Sequence, residues 1–131
     1  MLKSVKVRDW MTANVLTLGP QMEMLRAIHM LVENRISGAP VVDEHGKLVG
    51  ILSEKDCMRI ALEAGYHGHY GGHVRDYMNR DVRTVDVQAS VLDVAGRFNS
   101  APYRRYPVLD GDRLVGQISR RDVLRALIAL W

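Results

Sequence analysis

The chain has 131 residues, 25% charged and 47% hydrophobic, with a formal net charge of +3. No apolar run approaches the roughly eighteen residues of a membrane-spanning helix, and the length suits one domain or two very small units sharing a core. A single cysteine, Cys57, rules out an intrachain disulfide, and MLKSVKVRDWM at the N-terminus lacks the apolar stretch of a secretory signal, so a soluble protein of the reducing cytoplasm is expected.

From the N-terminus, VRDWM (7–11) precedes a short strand expected at 14–18. A helix follows over roughly 21–34, where Met24, Leu25, Ile28, Leu31 and Val32 recur at three- and four-residue spacing and predict one core-facing stripe. Strands at 40–43 and 47–52 flank the turn composition EHGK (44–47) and form a hairpin. A closing helix starts after Ser53. The stretch EAGYHGHYGGH (63–73) has four glycines and three histidines and reads as a linker. Its His67, His69 and His73 are of the type that ligates zinc, copper or nickel, but a solvated, turn-rich connection has the same composition, and no metal is assigned.

The remainder repeats this order. A shift of 67 residues lays VRDWM on VRDYM (74–78), Val15 on Val82, Thr17 on Thr84, Gln21 on Gln88, Leu25 on Leu92, and Pro40, Val41 and Asp43 on Pro107, Val108 and Asp110. One residue is lost where EHGK meets GDR (111–113), and the two LVG segments (48–50, 114–116) then coincide, as do Ser53 with Ser119, Asp56 with Asp122 and Arg59 with Arg125. In the second helix Val91, Leu92, Ala95 and Phe98 stand where Met24, Leu25, Ile28 and Leu31 stood, conserving volume roughly. The second hairpin is expected at 106–109 with 113–118. Each copy is therefore β-α-β-β-α, an α/β (α+β) arrangement, with repeat 1 at 1–64, a linker at 65–73 and repeat 2 at 74–131. A three-stranded sheet covered on one side by two helices leaves apolar surface bare, so the copies are expected to pack about a pseudo-twofold axis.

The most informative segments end the hairpins: GILSEKDCMRI (50–60) and GQISRRDVLRA (116–126). A strand ending in Ser that opens a helix presents free amides and the positive end of the helix dipole, which suits an anion, while the acid three residues on suits vicinal ribose hydroxyls. The same Ser-x-x-Asp spacing is also a variant of the capping box, in which Ser and the acid satisfy the helix's own amides with no ligand at all. Both readings stand at this point.

Three signatures recur in order: VRDWMTANVLTL and VRDYMNRDVRTV, then ISGAPVVD and YRRYPVLD, then LVGILSEKD and LVGQISRRD. The arrangement resembles the cystathionine-beta-synthase (CBS) domain, and the two copies resemble a stand-alone tandem CBS pair, or Bateman module, from about Val7 to Ala129. The resemblance implies a regulatory module that binds AMP, ADP, ATP or S-adenosylmethionine in clefts between the repeats. Carried over by position, Asp56 and Asp122 would hold ribose hydroxyls and Ser53 and Ser119 would approach phosphate. Thr17 and Thr84 would lie beside base and sugar, and the backbone around Ala39, Pro40, Tyr106 and Pro107 would line an adenine slot. Prolines suit that place because they lack an N–H and keep the preceding residue extended, although an edge-strand start explains them equally.

Ser37 and Gly38 in the first copy face Arg104 and Arg105 in the second, and Glu54 and Lys55 face Arg120 and Arg121. These arginines resemble phosphate-reaching residues of the family and predict tighter binding at the second site, with one of Arg104 and Arg105 turned to the cleft. Neither an enzyme nor a resident cofactor is expected, since the sequence offers no nucleophile with a paired base, no closed ligand set and no Walker-type glycine loop. The family also implies a homodimer and a regulated partner protein. Two other readings compete: a ligand-free structural or protein-interaction module, and nucleic-acid binding. The latter is disfavoured because the arginines of the second half interleave with Asp76, Asp81, Asp86, Asp110, Asp112 and Asp122. Cys57 is expected in the core, His29 on a helix surface, Trp10 and Tyr77 at matching packing positions, and Trp131 at a subunit contact.

Overall fold

The computed structural model describes residues 2–67 and 71–130, and Trp131 and His69 lie outside them. In chain order the elements are a 3-10 turn (Leu2–Ser4), α1 (Val7–Trp10), α2 (Met24–Glu33), β1 (Gly38–Val42), β2 (Leu48–Ser53), α3 (Glu54–His67), α4 (Val74–Tyr77), β3 (Val85–Asp86), α5 (Val91–Ser100), β4 (Arg105–Asp110), β5 (Arg113–Ser119) and α6 (Arg120–Leu130). Among the described residues no helix is long and apolar enough to cross a membrane.

The hairpins form where turn chemistry demands. In the first, the Asp43 carboxylate accepts the amides of His45 and Lys47, and Gly46 takes a positive φ of 81° that a side chain would oppose. The second is a residue shorter, with Asp110 paired to Arg113 across Gly111. β1 and β2 are antiparallel, as are β4 and β5, and both pairs carry a bulge at the same repeat position, after Val41 and after Val108. β3 adds a third strand, parallel to β4. Its counterpart, expected at 14–18, is reduced to a single parallel bridge from Leu18 to Val41.

The chain divides into two compact units, residues 16–82 and residues 1–15 with 83–131. The division cuts across the sequence repeats, because each repeat's leading segment completes the other's core. Val7, from repeat 1, is fully buried among Val91, Val94, Phe98, Tyr106, Val108 and Ile118, and its amide donates to Ala89 O at 2.9 Å. Thr12 and Gln117 exchange two backbone hydrogen bonds of 2.8 and 2.9 Å. In the other unit Val74, from repeat 2, is buried among Leu18, Met24, Leu31, Val41 and Leu52; its amide donates to Met22 O at 2.9 Å, and Asn79 and Ile51 exchange bonds of 2.8 and 2.9 Å.

The repeated LVG glycines mark these crossings. A Cβ on Gly116 would stand 2.7 Å from Met11 Sδ and 2.8 Å from Thr12 O, and one on Gly50 would stand 2.6 Å from Met78 Sδ and 3.0 Å from Asn79 O. The helices bury narrower stripes than the spacing predicts. On α2 Met24, Ala27 and Leu31 are buried while Leu25 and Val32 are 51% and 70% exposed, and on α5 Leu92 is exposed while Val91, Val94 and Phe98 are buried. A stripe of five apolar positions is wider than a sheet this small covers.

Candidate ligand site

In each unit a strand runs directly into a helix at a serine, and the local hydrogen bonds explain why. Ser53 N–H and Oγ–H both donate to Asp56 Oδ2, at 2.8 and 2.9 Å, and Asp56 N–H donates back to Ser53 Oγ at 3.3 Å. The second copy repeats this with Ser119 and Asp122 at 2.9, 3.0 and 3.2 Å. The next amide is also answered from within, Glu54 N–H by Ser37 O (2.8 Å) and Arg120 N–H by Arg104 O (3.3 Å). The capping box is therefore complete in both repeats, and it consumes one carboxylate oxygen, Oδ2. Asp56 is half-buried and Asp122 buried.

The strands bring several other assigned residues to these caps. Gly38 pairs with Ser53, placing Ala39 and Pro40 on the neighbouring strand, and Leu18 ties Thr17 to them through Leu18 N–H to Pro40 O at 2.9 Å. Thr17 lines a depression of about 530 Å³ with Gly19, Gln21, Val42 and Asp43. Backbone hydrogen bonds from Lys47 and His45 hold the Asp43 carboxyl below its usual value. In the second copy Arg105 pairs with Ser119 and Pro107 with Gln117, and the Thr84 carbonyl accepts from Arg97 Nη1 at 2.7 Å.

Tyr106 offers only backbone to a ligand. Its ring is core, 4.9 Å from the Phe98 ring and 5.7 Å from the Tyr103 ring, with the Arg97 guanidinium 4.5 Å from its centroid. Pro40 and Pro107 are buried, and Arg104, Arg105 and Arg120 are all exposed. Arg120 lines a groove of about 490 Å³ with Ala95, Phe98, Asn99, Val123 and Leu124, which contains none of the other assigned residues. Cys57 is buried beside Asp56, and burial, with Asp56 and Glu54 nearby, pushes its thiol up. Among the described residues no cluster of His, Cys, Asp and Glu forms a metal site; of the linker histidines, His69 and the His67 side chain lie outside those residues.

A model of the CBS domain matches residues 7–63 and again 74–129. The chain belongs to the CBS domain family. This CBS protein is 30% identical over 125 residues to the uncharacterised protein MJ1225 of Methanocaldococcus jannaschii, covering 95% of this chain but 44% of that one, so it spans less than half of that relative's length. The structure of CBSX2 from Arabidopsis thaliana in complex with AMP superposes with a TM-score of 0.82 at 27% identity, covering 96% of this chain and 98% of that chain. The CBS pair of MJ0100, solved with 5'-methylthioadenosine and S-adenosyl-L-methionine, superposes with a TM-score of 0.74 at 26% identity, covering 97% and 98%. The mixed α/β fold of two strand-and-helix repeats is thus that of CBS pairs.

The roles of two residues at the CBS caps, Arg125 and Arg59, escape the sequence reading. Arg125 Nη1 donates to Asp122 Oδ1 at 3.0 Å, and its guanidinium lies 5.4 Å from the Trp10 ring centroid. Arg59, its counterpart, lies 4.8 Å over the Tyr77 ring. The signal was present as an acid and an arginine three residues apart on one helix face, repeated in both copies.

Proposed function

We propose that this CBS pair is a regulatory module that binds an adenosine-containing ligand, AMP, ADP, ATP or S-adenosylmethionine, with one candidate site on each unit, and that it catalyses no reaction itself. One observation carries the reading: each Ser-x-x-Asp cap spends one oxygen of its acid on the helix, so the second oxygen, open on Asp56 and shared with Arg125 on Asp122, defines a polar position beside Ala39 and Pro40, or beside Tyr106 and Pro107. Relatives of the same fold solved with AMP, and with 5'-methylthioadenosine and S-adenosyl-L-methionine, support the ligand class. In this reading Ser53, Ser119 and the exposed Arg104, Arg105 and Arg120 serve the phosphate end and Thr17 and Thr84 the nucleoside.

Occupancy is passed to a partner chain or through a homodimer. Leu124 and Ile128 on α6, 57% and 74% exposed, and, in the other unit, Met58 and Leu62 on α3 are exposed apolar side chains that support such an assembly. A buried, single thiol suits a reducing compartment such as the cytoplasm.

The test is a thermal-shift panel of AMP, ADP, ATP, S-adenosylmethionine and NADH, with GTP as the base control, on the wild type, Asp56→Ala and Asp122→Ala. A ligand at a hundred times its dissociation constant adds about 2.7 kcal/mol, a rise of roughly ten degrees for a chain of this size. A rise with an adenosine compound that is reduced in the variants is expected. No shift with any compound would leave the second reading, a ligand-free interaction module, which the internally completed caps favour.

A further inference from the structure

The two caps use the same carboxylate oxygen, and the other oxygen sets them apart. Asp122 Oδ1 accepts from Arg125 at 3.0 Å, whereas no donor reaches Asp56 Oδ1 among the described residues. Arg59, aligned with Arg125, sits over Tyr77 and leaves Asp56 alone. The local surroundings account for the difference. Tyr77 is buried and fixed by its bond to Glu63, giving Arg59 a firm ring to cover, while Trp10 is only half-buried and Arg125 stands farther from it and turns to the acid.

We propose that the two candidate sites load in order, the Asp56 site first, because Arg125 latches the Asp122 carboxylate and a ligand's hydroxyls must displace it. The proposal rests on the adenosine reading above. A pair of hydroxyls can only donate to a carboxylate whose lone pairs are open, and a guanidinium N–H already on Oδ1 is a charge-assisted competitor. The latch is graded. The Asp122 side chain is only 10% exposed, which shields the pair from solvent and salt, but that of Arg125 is 57% exposed and can swing away. A pair of this kind shifts affinity by about three- to five-fold and does not block the site. This order opposes the expectation drawn from Arg104 and Arg105, whose side chains lie exposed at the start of β4, while the latch acts on the acid itself.

Calorimetric titration with AMP tests it, on the wild type, Asp56→Asn, Asp122→Asn and Arg125→Met. Two classes of site are expected in the wild type, the tighter lost in Asp56→Asn and the weaker in Asp122→Asn, with Arg125→Met tightening the weaker site about three- to five-fold and leaving the tighter one in place. A tighter site that disappears in Asp122→Asn, or a second site that Arg125→Met weakens or leaves unchanged, overturns the latch. A ligand-free measurement separates the two layers. With Trp131→Phe as background, Trp10 is the sole tryptophan, and Arg125→Met is expected to shift its emission. No heat with AMP in any variant, together with a shifted emission, refutes the adenosine reading and ordered loading with it; an unmoved emission refutes the placement of Arg125 beside both Trp10 and Asp122 on which the latch rests.

Discussion

Replacing Val7 by alanine should weaken the unit built from the second repeat, although Val7 belongs to the first. The side chain is fully buried against Val91, Val94 and Phe98 of α5 and Tyr106, Val108 and Ile118 of the sheet. Two methylene equivalents at about 0.8 kcal/mol each, with a void that the surrounding β-branched residues only partly close, make the cost about 2 kcal/mol. That corresponds to roughly a thirty-fold change in an opening equilibrium. Hydrogen exchange read by mass spectrometry resolves where the loss falls. Val7→Ala should speed exchange across 105–119 by about that factor while 38–53 keeps more of its protection, and Val74→Ala should do the reverse. Faster exchange in 38–53 with 105–119 spared, on Val7→Ala, would refute the assignment of the leading segments to exchanged cores.

Three further outcomes are expected. Gly116→Ala forces a methyl against Thr12 O and Met11 Sδ and should destabilise by about 1–3 kcal/mol in urea titration, whereas Gly96→Ala, in open space on α5, should stabilise by roughly 0.5–1 kcal/mol; equal stability of Gly116→Ala and wild type would show that the segment at 11–12 does not press on β5. The Tyr77 hydroxyl donates to Glu63 Oε2 at 2.5 Å, and this bond, then burial, holds its pKa above 10.0. The unfolded phenol therefore loses its proton first, so this contribution is whole below pH 10.0 and is lost as the pH rises through the folded value. Tyr77→Phe should flatten that alkaline fall relative to wild type in denaturation at increasing pH, and parallel curves would contradict it.

Much of the fold was legible because it is local. The turn residues Asp43, Gly46 and Gly111, the period of α2 and α5, and the serines ahead of α3 and α6 each act within a few residues of themselves, and these elements stand within a few residues of where those signals place them. Burial within an element was less legible: Ala27 is core and Val32 is 70% exposed, because the sheet covers only part of the apolar stripe. At the caps, Ser-x-x-Asp spacing specified a helix start with its own acid, and both readings of it followed from the same atoms. Arg59 and Arg125 occupy the same position in identical spacing, so nothing local could separate the one that covers a ring from the one that also holds the acid.

By itself the sequence determined the duplicated order of elements, the turn that absorbs the missing residue and the paired caps, all properties of segments about ten residues long. Only the tertiary structure decided which core each leading segment completes. Val7 and Val74 carry nearly the same neighbours, VRDWM and VRDYM, and either would fill either hole, so no local preference distinguishes them. The choice is made by long-range packing: Met11 and Thr12 crossing Gly116, and Met78 and Asn79 crossing Gly50, close the hydrogen bonds of β5 and β2 that neither hairpin can satisfy alone.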